Sequence, residues 1–178
     1  ILPGVIFIFM KISARNYFQQ LEQRIQAEAS NIDNYLEQRV DILTNVVGLV
    51  DRAIDLDKDV MKAVAALRGG SVNESNRNEV NAQVGSALGR LFPQVEAYPE
   101  LKANTNFMHL QEEIADIENK LASVRRYFNS TTKELNTAIQ SIPTNIVAGF
   151  KHMTPQPFFD LGKEERKQLD KAPEISFS

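Results

Sequence analysis

From Leu21 to Ile54 the apolar residues fall at Leu21, Ile25, Ala29, Ile32, Leu36, Val40, Leu43, Val47, Val50 and Ile54, always three or four positions apart. The mean spacing of about 3.7 residues is a helical period, slightly nearer to an 11-residue repeat than to a heptad, and it predicts a nearly straight helix with one buried stripe. The stripe continues through Met61, Val64 and Leu67 to Gly69-Gly70. That pair reads as a helix stop, because glycine takes the left-handed conformation cheaply at a carboxyl cap. With Pro3 in the first turn, where its missing donor costs nothing, the helix is expected to run unbroken to Arg68, about 100 Å at ~1.5 Å per residue. Gly48 and the acidic Asp51–Asp59 stretch are its expected bending points.

Residues 69–75, Gly-Gly-Ser-Val-Asn-Glu-Ser, form a flexible linker. Asn76 with Glu79 three residues later matches a capping box, and Val80, Val84, Leu88, Leu91 and Val95 give the next helix one apolar face. Pro93 is expected to kink or end it. A third helix opens at Pro99, a favoured first position, and runs through Leu110, Ile114, Ile117, Leu121, Val124, Phe128, Leu135, Ala138 and Ile142 to a stop at Pro143. Its core positions recur at close to 3.5 residues, which predicts coiled-coil-like packing on a neighbour. The remainder holds Pro155, Pro157, Phe158 and Phe159, then a charged run from Lys163 to Lys171, with room for a helix of two or three turns. These elements predict an all-α fold, an elongated up-and-down helical bundle of three long helices and a short fourth. Residues 16–178 make up that bundle domain.

The opening run, Ile1 to Met10, is apolar throughout. Ten such residues fit a buried core helix, a signal-peptide core or the end of a spanning helix, which needs roughly 20. Lys11 and Arg15 follow, with no acid before Glu22 and no small-residue cleavage site. That flank selects the last reading: residues 1–15 are expected to be the end of a truncated transmembrane helix, with further chain before Ile1. Ile1, Leu2, Val5, Ile6, Phe7, Ile8, Phe9 and Met10 are its anchor residues. A basic carboxyl flank places that side in the cytoplasm, so the expected location is the cell membrane, with a cytoplasmic bundle.

Composition narrows the chemistry. At 178 residues and 43% hydrophobic content, the chain can build one continuous core; without cysteine, disulfides, thiolate metal sites and thiol nucleophiles are excluded. A net charge of −3 leaves no basic footprint for a phosphate backbone, so nucleic acid is not an expected partner. Asp55-Leu-Asp57-Lys-Asp59 imitates the start of a calcium loop, but Val60 stands at the sixth position and Ala66 at the twelfth, so a solvated helix face is the simpler reading. His109 and Glu112 are half of a di-iron motif, yet only His152 exists as a second histidine. Glu112, Glu113, Asp116 and Glu118 read as a wet face, with Lys120, Arg125, Arg126 and Lys133 near for exposed ion pairs. No serine has a histidine and acid at a motif spacing, and no glycine-rich loop follows a strand. No catalytic residue, metal or cofactor is expected.

One stretch is more specific than this plain helical pattern: Glu96-Ala-Tyr-Pro-Glu-Leu-Lys-Ala-Asn104, followed by Asn106-Phe107, Leu110-Gln111, Glu118-Asn-Lys120, Arg125-Arg126-Tyr127 and Asn129. It closely resembles the signature of the bacterial LemA family. Asn16-Tyr17, Ser30-Asn-Ile-Asp33, Arg39, Asp41, Asn45 and Val47 resemble that family's first-helix motifs, and Asn136, Ile142-Pro143 and Pro173-Glu-Ile-Ser-Phe177 its closing ones. Ala29 stands where the family usually has Trp, Thr44 where it has Pro, and Leu56-Asp57 where His-Glu is common, which marks a divergent member. The resemblance implies a single-pass protein with an amino-terminal membrane helix and a helical bundle, without established catalytic residues. One branch of the family is associated with building magnetosome membranes. In the polar corner, Pro99 and Asn104 would set the turn, Tyr98 would pack with a hydrogen bond at its tip, and Lys102 would cap or pair.

The function expected is a membrane-anchored scaffold that self-associates, using Leu21, Ile25, Ile32 and Leu36 of the long stripe. The alternative is an adaptor that binds a membrane protease or envelope-stress partner through the carboxyl tail. There Phe158 and Phe159 are either a partner-binding peptide or buried against the bundle.

Overall fold

The computed structural model describes residues 1–159, which form helices joined by short turns, with no strand among them. In chain order they are α1 (Leu2–Ala53), α2 (Lys58–Arg68), α3 (Arg77–Glu96), α4 (Pro99–Lys102), α5 (Thr105–Gln140) and α6 (Thr144–Phe150). The chain divides into two compact units, one of residues 1–25 with the chain from Tyr127 onward, the other of residues 26–126. Helices α1 and α5 therefore contribute residues to both.

The larger unit has a core of Leu43, Val46 and Val50 from α1, Val60 and Val64 from α2, Val84, Leu88 and Leu91 from α3, Leu101 from α4, and Phe107 and Ile114 from α5. The apolar stripe read along the sequence is thus the inward face of α1. The smaller unit is built around Ala14, Phe18 and Leu21 of α1, Leu135, Ala138 and Ile139 of α5, and Val147 and Ala148 of α6.

The long first helix does not reach Arg68. It ends at Ala53, and Ile54–Asp57 interrupt it before α2 begins. Asp57 is the N-cap of α2, its Oδ1 accepting from the Asp59 amide at 3.0 Å, while Leu56 between the two aspartates is buried. A short acidic side chain that satisfies a free amide is worth about 1 kcal/mol at a helix start, and it acts here alongside the burial of Leu56. Gly69 ends α2 at φ −91°, and no described glycine has positive φ, so this stop works without the left-handed conformation.

The expected capping box at Asn76 does not form either. Asn76 Oδ1 accepts from the Asn73 amide at 2.8 Å and its Nδ2 donates to the Ser71 carbonyl, so the side chain fastens the preceding loop. Glu79 instead accepts from Gln83 one turn on. Helix α3 continues through Pro93 and ends three residues later, at Glu96. The third helix is likewise split: Pro99 opens the single turn of α4, and Asn104 opens α5, its Oδ1 accepting from the amides of Asn106 and Phe107 at 2.9 and 3.2 Å. Lys163–Lys171 and the closing Pro173–Phe177 lie outside the described residues.

Candidate functional site

Helix α1 changes character at Ile12. Leu2, Val5, Ile6, Phe7, Ile8, Phe9, Met10 and Ile12 are all exposed, whereas Ala14, Phe18 and Leu21 are buried. A helix apolar on every side has no face to choose, while the later part has one stripe and buries it. Among the described residues no helix is long and apolar enough to cross a membrane. The exposed apolar part of α1, at ~1.5 Å per residue, covers about half of a ~30 Å hydrocarbon core.

Helix α6 lies beside this segment in the same unit. Its Val147 and Ala148 face the core, while Ile142 just before it, Ile146 and Phe150 are 82%, 45% and 68% exposed. Ile146 and Phe150, four residues apart, lie on one side of the helix, whereas Ile142 stands outside it, before Pro143. Lys11 Nζ sits 5.5 Å from the Phe7 ring centroid and 4.6 Å from that of Phe150, a cation held between α1 and α6. The end of α6 is closed by a paired turn: the Met153 amide donates to the Ala148 carbonyl and the His152 amide to that of Gly149. His152 takes the left-handed conformation this turn requires, at φ 51°.

The chain after α6 is held to α5 by two asparagines. Asn129 Nδ2 donates to the Phe159 carbonyl at 2.7 Å and its Oδ1 accepts from the Phe159 amide at 2.8 Å. Asn136 treats Gln156 the same way, at 3.0 and 2.7 Å. Seven residues of helix rise ~10.5 Å and three residues of extended chain span ~10 Å, so the two spacings match. Phe159 is buried and Phe158 half-buried. Of the expected aromatic partner peptide, only Phe158 keeps open surface. On α1, the Tyr17 hydroxyl donates to Glu134 Oε1 at 2.8 Å. Burial first, then that hydrogen bond and the carboxylate charge, push the Tyr17 phenol above its usual value.

The larger unit carries two further clamps. Arg77 of α3 makes a two-toothed contact with Asp33 of α1, Nε to Oδ1 at 2.7 Å and Nη2 to Oδ2 at 3.0 Å. Arg39 of α1 donates through Nη1 to Asn81 Oδ1 and through Nη2 to Glu118 Oε1, each at 2.9 Å, joining α1, α3 and α5. Both arginines are buried. Glu118 is therefore a partner of the core-facing Arg39 and not part of a free wet face; Asp116, by contrast, pairs with Lys120 at 2.8 Å on the surface and raises its pKa. His109 lies 3.3 Å from Glu113. Among the described residues no three His, Cys, Asp or Glu side chains gather closely enough to hold a metal.

The stripe residues expected to bind a second copy lie inside the fold instead. Leu21, Ile32 and Leu36 are at most 1% exposed, and Ile25 is half-buried against the smaller core. Burying a leucine or isoleucine is worth roughly 1.5–3 kcal/mol, and the fold takes that gain within one chain. Tyr98, expected to pack, is exposed, as is Lys102.

The LemA family profile matches residues 28–177. The chain belongs to the LemA family. Its relatives include the magnetosome protein MamQ of Magnetospirillum gryphiswaldense, 24% identical over 86% of this chain and 68% of that one. The protein LemA of Metamycoplasma hominis is 24% identical over 96% of this chain and 80% of its own. The magnetosome protein MamQ 2 of Paramagnetospirillum magneticum is 23% identical over 85% and 67%.

The residues that carry the LemA resemblance now have physical tasks. Asp33 and Arg39 tie α1 to α3 and α5, Asn104 starts α5, and Asn129 and Asn136 hold the chain at Phe159 and Gln156. Sequence reading missed Arg77 and Asn81 as their partners. Arginine in the first turn of α3, where cations are unfavourable, was the available sign that Arg77 answers a carboxylate elsewhere.

Proposed function

We propose that the chain is a single-pass, membrane-anchored helical scaffold that associates with further copies of itself and performs no catalysis. The observation that carries this reading is the change along α1 at Ile12, from exposed apolar residues on all sides to one buried stripe. A surface of that kind is stable in hydrocarbon and costly in water. Lys11 and Arg15, with no acid before Glu22, support a cytoplasmic bundle. The magnetosome proteins among the relatives support a role in organising a membrane. A structural role is also supported by the motif residues, whose polar groups tie helices together. With Leu21, Ile32 and Leu36 inside the fold, copies meet through surfaces outside both cores.

The adaptor alternative loses Phe159 as a contact, because its backbone is held by Asn129 and its side chain is buried. What remains of its basis is Phe158, which is half-buried, and residues 160–178, which lie outside the described residues.

Deletion of residues 1–12, together with any chain that precedes them, tests the anchor. The cut stops there because Ala14 and Phe18 belong to the smaller core. The full chain is expected to stay in the membrane pellet after alkaline carbonate extraction, and the shortened chain to appear folded in the supernatant. Release of the full chain, or retention of the shortened one, contradicts the reading.

A further inference from the structure

The face of α6 formed by Ile146 and Phe150 is covered by neither core, although α6 buries Val147 and Ala148. Two large apolar side chains four residues apart on this two-turn helix, with Ile142 exposed just before it, give a short element that is apolar outward. What covers that face follows from two further observations. Lys11 bridges Phe7 of the apolar segment and Phe150 of α6, which brings the carboxyl end of α6 level with the point where α1 turns from apolar to polar. In addition, residues 1–21 and 141–159, which frame this surface, contain Lys11, Arg15 and Lys151 and no acidic residue.

We infer that α6 is a membrane foot: Ile146 and Phe150 rest in the headgroup region of a bilayer rich in anionic lipid, with Lys11, Arg15 and Lys151 at the phosphates. This deepens the anchoring proposed above and rests on it. The lengths agree. Four residues of helix place Ile146 about 6 Å from Phe150 along the axis, and each headgroup layer is ~5–7 Å thick. Aromatic and aliphatic side chains beside basic ones are a composition that binds the bilayer interface, apolar groups toward the acyl boundary and cations on anionic lipid. A second copy of the chain would need acidic groups opposite these cations, whereas anionic lipid supplies them on every side. The foot would fix the orientation of the smaller unit against the bilayer, where a single helix alone leaves it free to rotate.

The native chain has no cysteine, so single labels are clean. Full chains carrying Val5→Cys, Ile146→Cys or Phe150→Cys, each with an environment-sensitive fluorophore, are placed in nanodiscs with anionic lipid bearing nitroxides at known depths. Labels at 5, 146 and 150 are expected to be quenched, position 5 most by deep nitroxides, positions 146 and 150 most by shallow ones. Lys151→Glu is expected to reduce quenching at 146 by at least two-fold, as is replacement of anionic by zwitterionic lipid. Quenching at 5 without quenching at 146 and 150 overturns the foot and leaves the anchor standing. Labels at 146 and 150 shielded from both lipid nitroxide and aqueous quencher overturn it in favour of a second copy. Absence of quenching at all three positions overturns foot and anchor together.

Discussion

Asn129 of α5 holds Phe159 by both halves of its backbone, donating to its carbonyl at 2.7 Å and accepting from its amide at 2.8 Å, thirty residues along the chain. An asparagine amide has the donor and acceptor of a backbone peptide, so it can pair with extended chain as a neighbouring strand would. Because both groups of Phe159 are buried there, losing Asn129 leaves a donor and an acceptor without partners. Asn129→Ala is expected to destabilise the smaller unit by about 2–3 kcal/mol and to open the chain near Phe159 to proteolysis. Asn129→Asp is expected to do the same, since a carboxylate cannot donate to the Phe159 carbonyl. Thermal unfolding with timed limited proteolysis checks both; wild-type resistance in either variant contradicts the clamp.

In the larger unit the equivalent test is the Asp33–Arg77 pair. Removing Asp33 leaves a buried guanidinium without its carboxylate, and Asp33→Ala is expected to lower stability by about 2–3 kcal/mol in urea unfolding. Arg77→Lys is not expected to rescue, because an ammonium cannot make both contacts at once. A loss below about 0.5 kcal/mol for Asp33→Ala would show the pair to be an ordinary surface contact.

Tyr17 gives the smaller unit a dependence on alkaline pH. Its phenol is raised above the ordinary value of 10.0, so the folded state keeps a proton that the unfolded chain releases. Stability from this group is complete below about pH 10 and is lost as pH rises through the folded value. Tyr17→Phe, which has no proton to lose, is expected to flatten the stability profile above about pH 10. The measurement is chemical denaturation from mildly to strongly alkaline pH, with ultraviolet titration of phenolate alongside. Identical slopes in the two proteins would exclude Tyr17 as the source.

His152 stands in the left-handed conformation at the end of α6, a place usually taken by glycine. A side chain there costs about 1–2 kcal/mol relative to a right-handed position, part of which glycine gives back through its freer unfolded state. His152→Gly is expected to stabilise the smaller unit by about 0.5–1 kcal/mol, read as a higher midpoint of thermal unfolding. A lower midpoint would mean that the imidazole makes a contact worth more than the backbone strain.

The helical architecture was legible because burial on one side of a helix imposes a period that survives in the residue order, as from Leu21 to Val50. The break at residues 54–57 falls within the Asp51–Asp59 stretch expected to bend, but Leu56 keeps the apolar pattern going and so hid that the helix ends there. The cap itself, Asp57 accepting from the Asp59 amide, became visible only in the structure. Asn129 and Asn136 stood out as motif residues, but their partners are backbone groups of Phe159 and Gln156, and every residue has the same backbone. The stripe positions Leu21, Ile32 and Leu36 are buried within the single chain: periodicity reports only that a face is covered, and one chain's own helices cover it as well as a second copy would.

Native mass spectrometry of the full chain released from lipid nanodiscs tests the scaffold most directly. Complexes of several copies retaining bound lipid are the predicted result. A spectrum containing only single copies, under conditions that preserve known membrane oligomers, would contradict it.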